Sequence, residues 1–191
     1  LEQTLVAEVL ESRFLNDGDM TTRFERELAA ALGVKHVIGV SNGTSAIFLA
    51  LASGGVGPGD EVLVPDVTFI ATANAVSLAG ATPVLVDVDP ATLTLDPEAA
   101  ARAVTPRTKA IVPVHVSGRS ADLAALRRLA DARGLVLIED AAEGLGSRRD
   151  GRCLGTHGRL GCLSFSPQKT ITTGQGGAVL TDDDALAVRL R

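Results

Sequence analysis

The chain has 191 residues, 46% of them hydrophobic and 21% charged, which is typical of a soluble globular protein with room for one large core. Its net charge of -5, with no cluster of Lys and Arg, argues against nucleic acid or an acidic membrane surface as the main partner. No apolar run approaches the length of about 18 residues that spans a bilayer. Cys153 and Cys162 are too few for a disulfide-stapled fold and form no metal-ligand pattern. We therefore expect a cytoplasmic protein without a metal site.

Two amphipathic helices are predicted within residues 1–33. Apolar residues recur at helical spacing in LEQTLVAEVLES and again in TTRFERELAAALG, where Thr22 is a candidate N-cap and Gly33 a candidate helix end. The chain starts at Leu1 and stops at Arg191, each within a helical pattern. We therefore expect a piece of a longer protein.

Beyond these helices, short apolar runs alternate with alanine-rich helical segments. The runs HVIGV, EVLVP, TPVLVDV and KAIVPVHV are each followed by a predicted helix, and GLVLIED, GCLSFS and GGAVLTD complete the series. Nearly all-apolar strands separated by helices indicate a mostly parallel sheet with helices on both faces. The predicted fold class is α/β, with three layers.

Ligands of such sheets bind at the carboxyl ends of the strands. Strand ends are also polar simply because they meet water, so any single polar residue there is weak support for a site. In this chain, however, several types of polar residue that could bind a ligand occur together at the predicted strand ends. The polar groups at or just after apolar runs are residues 41–45, residues 66–69, Asp87, His115, Asp140, Glu143 and residues 164–169.

The segment SNGTS, residues 41–45, follows the run HVIGV and opens a predicted helix. Free N–H groups at a helix start favour a phosphate, and Gly43 would let the anion approach closely. The alternative is that these residues only cap the helix. The segment lacks the glycine spacing of a dinucleotide site and the lysine of a P-loop, which favours a monophosphate.

Asp140 ends the apolar run GLVLIED, where a carboxylate is costly unless a cation meets it. A protonated ring nitrogen of a bound heterocycle would be such a cation, and a helix cap or salt bridge is the alternative. Glu143 would face the same pocket if a helix begins at Asp140. Phe69 could stack on a flat ring or lie in the core, and we interpret His115 as structural.

Lys169 lies in SFSPQKTITTGQGGAVLTDD, between an apolar run and a glycine-rich turn. A lysine in a partly desolvated site can form a Schiff base with a carbonyl cofactor, whereas a lone lysine is usually a solvated surface residue. Hydroxyls and glycines around it, including Ser164, would position the amine and let a ligand come close.

Five segments in order resemble the DegT/DnrJ/StrS family of aminotransferases, which depend on pyridoxal phosphate (PLP) and act mostly on nucleotide-linked keto sugars. They are SNGTSAIFLAL, PDVTFIATANAV, PVHVSG, EDAAEGLGS and SFSPQKTITTGQGGAVLTDD. The resemblance implies an aspartate-aminotransferase-like large domain. Lys169 would carry the cofactor and move protons, and Asp140 would face the pyridinium. The implied cofactor contacts are Gly43, Thr44, Ser45, Phe69, Glu143 and Ser164.

The same resemblance implies what lies beyond the chain. Residues 1–191 would be a partial large domain, with 1–33 as its N-terminal helical segment and a smaller C-terminal domain missing. The active site would be shared between two subunits of a homodimer, so we expect catalysis to require the longer protein. PQK and GQGG depart from forms common in the family, which affects contacts around Lys169.

The resemblance implies amino transfer from an amino acid, with glutamate as the expected donor, to a nucleotide-linked keto sugar. A PLP-dependent lyase or aldolase on the same fold is one alternative, and a non-catalytic binding or regulatory protein is another. A nicotinamide-dependent dehydrogenase is disfavoured because the glycine fingerprint is missing.

Overall fold

The computed structural model of the chain describes residues 1–13 and 18–191. Alanine-rich and amphipathic segments form its helices, as their spacing predicts. In chain order the helices are α1 (Glu2–Ser12), α2 (Asp19–Leu32), α3 (Gly43–Ser53), α4 (Ala71–Leu78), α5 (Pro97–Ala103), α6 (Leu123–Arg133) and α7 (Asp184–Leu190), with a short 3-10 turn at Val116–Gly118.

All seven predicted apolar runs contain strands of one sheet, in the order β1-β9-β8-β5-β4-β2-β3. The expected mostly parallel sheet is confirmed, and β9 alone runs antiparallel to its two neighbours. The strands are β1 (His36–Val40), β2 (Glu61–Pro65), β3 (Thr82–Val86), β4 (Thr108–Ile111), β5 (Val136–Asp140), β8 (Leu160–Ser164) and β9 (Gly177–Thr181), and a separate hairpin contains β6 (Arg148–Arg149) and β7 (Arg152–Cys153).

The reversal of β9 follows from its connection. Residues 165–176, between β8 and β9, contain no helix. A parallel neighbour needs a crossover of a dozen or more residues that is usually helical, whereas a returning loop suits an antiparallel neighbour. Lys169 lies on this returning loop at the carboxyl end of β8.

Alternating side chains along the strands build two cores on opposite faces of the sheet. In β2, Val62 and Val64 pack with α3 and α4, whereas Leu63 packs with α5 and α6 on the other face. The helix α2 covers the second face at the β1–β9–β8 end of the sheet. The expected three-layer arrangement is therefore confirmed.

One local expectation was wrong, and one element was missed. Helix α2 begins at Asp19 after Gly18, so Thr22 lies inside the helix and is not its N-cap, because an acidic residue in the first turn already suits the helix dipole. The hairpin of β6 and β7 was not predicted, since two-residue strands carry no periodicity. Its turn residues Asp150 and Gly151 both have positive φ, at 49° and 79°, and this pair is a recognised hairpin signal. The helix end at Gly33, with φ 69°, is confirmed.

Candidate active site

A cavity of about 580 Å³ opens at the carboxyl ends of β1, β2, β5 and β8. Its position agrees with the rule for ligand sites in open α/β sheets. Asp66, Asp87 and His115 lie outside its lining although they too follow apolar runs. All eight predicted site residues contribute to it: Gly43, Thr44, Ser45, Phe69, Asp140, Glu143, Ser164 and Lys169.

The start of helix α3 forms one end of the cavity. Asn42 caps the helix, because its side-chain oxygen accepts the Ser45 N–H at 2.8 Å. The N–H groups of Gly43 and Thr44 belong to the first helical turn and have no carbonyl acceptor within that helix. The capping interpretation of SNGTS is therefore confirmed for Asn42, and the phosphate site at the two remaining N–H groups stays a prediction.

Gly43 is required by a close contact in the protein itself. A Cβ at Gly43 would lie only 2.8 Å from the Ser164 Cβ, and one at Gly177 would lie 2.5 Å from the Asn42 carbonyl. Glycine at both positions lets the helix start pack directly on β8 and β9. The Ser164 hydroxyl, 3.1 Å from the Ser166 hydroxyl, is thereby brought beside the N–H groups of α3.

Asp140 is only 5% exposed and lies where β5 reaches the cavity. One carboxylate oxygen accepts the Thr72 hydroxyl at 2.8 Å, and the other accepts the Ala142 N–H at 3.1 Å. Burial raises the pKa of Asp140 despite these bonds and the positive charge of Lys169. A carboxylate can accept about four hydrogen bonds, so this one has capacity for a cationic donor in the cavity.

The Lys169 side chain is 13% exposed, so it is not a solvated surface lysine. Its amine lies 3.4 Å from a carboxylate oxygen of Glu143, and the other oxygen of Glu143 accepts the Ser117 N–H at 2.8 Å. The helix on which the Glu143 prediction depended does not form, because turns containing Gly144 and Gly146 follow Asp140. Glu143 nevertheless faces the cavity.

Phe69 is 68% exposed and lies on the cavity wall, so the alternative of a core position is wrong. The aromatic contact in the described core is an edge-to-face pair of Phe24 and Phe165, with ring centroids 5.4 Å apart. A large exposed aromatic ring at the mouth of a cavity is available to cover a ligand.

Sequence reasoning missed the hydroxyls that support Asp140. Thr72 is fully buried, and its hydroxyl lies 2.8 Å from that of Thr68 as well as from Asp140. The available signal was a threonine on the buried face of helix α4, where the other residues are alanine and valine. The Ser117 N–H was also missed, because no side-chain pattern marks a backbone donor.

A second carboxylate, Glu139, lies behind the cavity and faces away from it. It is fully buried, pairs with the His115 ring at 2.9 Å, and accepts the N–H groups of Gly155, His157 and Gly158. Burial alone would raise the pKa of Glu139, but His115 and the N–H groups of Gly158 and Gly155 together lower it. His115 is therefore part of a buried hydrogen-bond network, in agreement with its structural interpretation.

Two further observations concern the rest of the described chain. Cys153 and Cys162 are free and buried, and burial beside Asp140 and Glu139 raises the pKa of the Cys162 thiol well above its ordinary value. Among residues 1–13 and 18–191, no helix has the length and apolar character needed to cross a membrane.

The fold and the cavity together define a class of protein. A helix start with N–H groups that have no acceptor in the helix, a shielded amine and a buried carboxylate in one cavity are the kinds of group that a PLP enzyme needs to hold its cofactor. The chain belongs to the DegT/DnrJ/EryC1/StrS aminotransferase family, which matches residues 1–191. The family resemblance seen in the sequence is confirmed.

Individual relatives agree with this assignment. The chain is 45% identical over 186 residues to the spore coat polysaccharide biosynthesis protein SpsC of Bacillus subtilis, covering 97% of this chain and 48% of SpsC. It is 45% identical over 191 residues to GDP-perosamine synthase of Caulobacter vibrioides, covering 100% of this chain and 52% of that enzyme. The chain therefore spans about half the length of these curated relatives.

A solved structure shows the same fold. The chain superimposes on NtdA from Bacillus subtilis, determined with bound cofactor PMP, with a TM-score of 0.92 and 37% identity. The match covers 98% of this chain and 42% of NtdA. The fold is therefore that of PLP-dependent aminotransferases, as the resemblance implied.

Proposed function

We propose that the whole protein is a PLP-dependent aminotransferase that moves an amino group from an amino acid, with glutamate as the donor, to the keto group of a nucleotide-linked sugar. Membership of the family and the likeness to GDP-perosamine synthase support a nucleotide-sugar substrate. The observation that carries the proposal is that Lys169, Asp140 and the start of α3 line one cavity.

The residues of the cavity fit the cofactor. The N–H groups of Gly43 and Thr44, with the hydroxyls of Ser45 and Ser164, offer neutral donors and a helix dipole to a phosphate. Burial raises the pKa of Asp140, so its charged form lacks a sufficient positive partner, and its oxygens can accept further hydrogen bonds. A pyridinium would supply both the positive charge and a hydrogen-bond donor. Phe69 would cover the ring.

Bound PLP supplies an electron sink that stabilises negative charge at the substrate carbon. In this proposal Lys169 would hold the cofactor covalently and, when free, would serve as the base and then the acid for proton transfer. Asp140 would face the ring nitrogen and favour its protonated form, Thr72 holds Asp140 in place, and Glu143 would contact the ring. The partly buried position of Lys169 limits exchange of that proton with water.

We further infer that residues 1–191 form a partial cofactor-binding large domain, with 1–33 as its N-terminal helical segment, in a cytoplasmic homodimer. The shared length of about half supports a larger protein. Ile70 and Leu78 are 62% and 66% exposed at or beside the cavity, so a second subunit would cover apolar surface there. Sedimentation of the full-length protein tests the dimer, and a monomer at micromolar concentration would contradict it.

The activity is tested by incubating the full-length protein with PLP, glutamate and a panel of nucleotide-linked keto sugars. We expect one sugar to gain an amino group, identified by mass, with formation of 2-oxoglutarate. Lys169→Ala should abolish the product, whereas Lys109→Ala should leave it unchanged as a matched control. Release of a cleaved carbonyl product would instead favour the lyase or aldolase, and no uptake of PLP would favour a binding protein.

A further inference from the structure

Glu143 is held from two sides in the cavity. One carboxylate oxygen lies 3.4 Å from the Lys169 amine, and the other accepts the Ser117 N–H at 2.8 Å. Its side chain is 39% exposed, which leaves it near solvent at the cavity wall. The carboxylate therefore connects the reactive amine to a fixed point of the backbone.

The backbone that anchors Glu143 has an unusual conformation. Ser117 has φ 53°, in the left-handed region that non-glycine residues seldom adopt, and Gly118 follows with φ 76°. A Cβ at Gly118 would lie 2.9 Å from the Ser147 hydroxyl oxygen, so the turn packs tightly on the loop that carries Glu143. This conformation directs the Ser117 N–H to Glu143 and fixes the carboxylate beside Lys169.

Few charges surround the amine. Among the described residues, Asp140, Glu143 and Lys169 are the charged residues that line the cavity. Asp140 bonds Thr72 and Ala142, and His115 is paired with Glu139 behind the cavity wall. Glu143 is therefore the charged partner that lies within hydrogen-bonding distance of the Lys169 amine.

We propose that Glu143 is a positioning residue that holds Lys169 as an ammonium ion in the cofactor-free protein and thereby slows its reaction with PLP. This inference rests on the proposed function. It assigns to Glu143 a role distinct from contact with the bound ring.

The chemical step explains why the ion pair matters. Lys169 must first lose a proton to solvent, because only an uncharged amine can attack the aldehyde carbon. The nitrogen then bonds to that carbon, and the aldehyde oxygen leaves as one molecule of water. A carboxylate at 3.4 Å pairs with the charged amine, and this ion pair must break before the amine can react, so it slows uptake of PLP. An amide at the same position would keep an acceptor for Ser117 and remove the ion pair.

The test is the rate at which cofactor-free full-length protein takes up PLP between pH 6 and 9, followed by its visible absorbance. We expect Glu143→Gln to react about threefold faster at pH 7, the scale of a partly exposed ion pair. Glu98→Gln removes the same charge from helix α5 and should match the wild type.

Glu143→Ala provides a second variant, because it removes both the charge and the Ser117 acceptor. It should also load faster than wild type, with thermal melting used to confirm that each variant is folded. If Glu143→Gln keeps the wild-type rate, the inference is wrong even though the wild type binds PLP at Lys169. A wild-type protein that never forms the visible absorbance would overturn the proposed function and this inference together.

Discussion

Glu139 and Asp140 are neighbours at the end of β5 and are both buried, yet their surroundings differ in kind. Glu139 faces a closed network of His115 and three backbone N–H groups, and its pKa is lowered. Asp140 faces the cavity with two donors, and its pKa is raised. Burial alone therefore does not separate a structural carboxylate from a functional one, whereas the balance of donors around it does.

The largest expected effect on stability comes from the closed network. Glu139→Ala should lower the free energy of unfolding by about 3–5 kcal/mol, because it leaves His115 and three N–H groups buried without their acceptor. Urea unfolding of the full-length protein measures the loss, with Glu98→Gln as the control. A loss below about 1 kcal/mol would show that the network is not structural.

Asp140→Asn should affect activity instead of stability. We expect the rate of amino transfer to fall about 10²–10³-fold, the scale for losing one preorganised electrostatic contact at a reacting centre. The free energy of unfolding should change by less than about 1 kcal/mol, because the amide relieves a buried charge. Steady-state kinetics and urea unfolding on the same preparation separate the two quantities, and retained activity would remove the pyridinium role.

The pH dependence of stability should differ in sign between the two residues. The lowered pKa of Glu139 means that its stabilisation is present at neutral pH and is lost as the pH falls through the folded-state value. The raised pKa of Asp140 means that stability is lost as the pH rises through its folded-state value.

Replacing each carboxylate by its amide removes its contribution to the pH dependence of stability. Unfolding free energies of Glu139→Gln and Asp140→Asn, measured without PLP from pH 3 to 8, should therefore deviate from wild type in opposite directions at neutral pH. Deviations of the same sign would mean that the surroundings of one of these carboxylates are misassigned.

Phe69 should give the smallest effect. Its ring is 68% exposed, so Phe69→Ala should leave the melting temperature of the cofactor-free protein unchanged. Loss of a ring contact worth about 0.5–1.5 kcal/mol should weaken PLP affinity about two- to tenfold. Equilibrium binding of PLP measures this change, with Phe48→Leu as a conservative control on the cavity wall. A lower melting temperature with unchanged affinity for PLP would contradict this role and indicate that Phe69 stabilises the fold.

Local patterns predicted the parts of the fold that depend on local physics. The helix predicted after HVIGV forms as α3, and each apolar run contains a strand, because periodicity and burial act within one segment. The order of β9 between β1 and β8 and its reversal depend on a loop without a helix, which no single segment encodes.

The candidate site likewise has a part that the sequence predicts and a part that only the structure shows. Lys169, Asp140 and the helix start stand out in the sequence because strand ends gather at one edge of a parallel sheet. The bond between Thr72 and Asp140 joins residues 68 positions apart, and that between Glu139 and His115 joins residues 24 apart. Contacts of this kind require the fold. The order of the motifs identified the family, whereas the hydrogen-bond partners of Asp140 and Glu139 could be found only from the structure.

The most direct test of the central claim is to reduce the full-length protein with borohydride after PLP binding and locate the pyridoxyl group by peptide mass spectrometry. The chain contains Lys35 and Lys109 besides Lys169, which act as internal controls. We predict label on Lys169 alone among these three, and weaker PLP binding in Asp140→Asn. Label on Lys35 or Lys109 with an unmodified Lys169 would contradict the assignment of this cavity as the cofactor site.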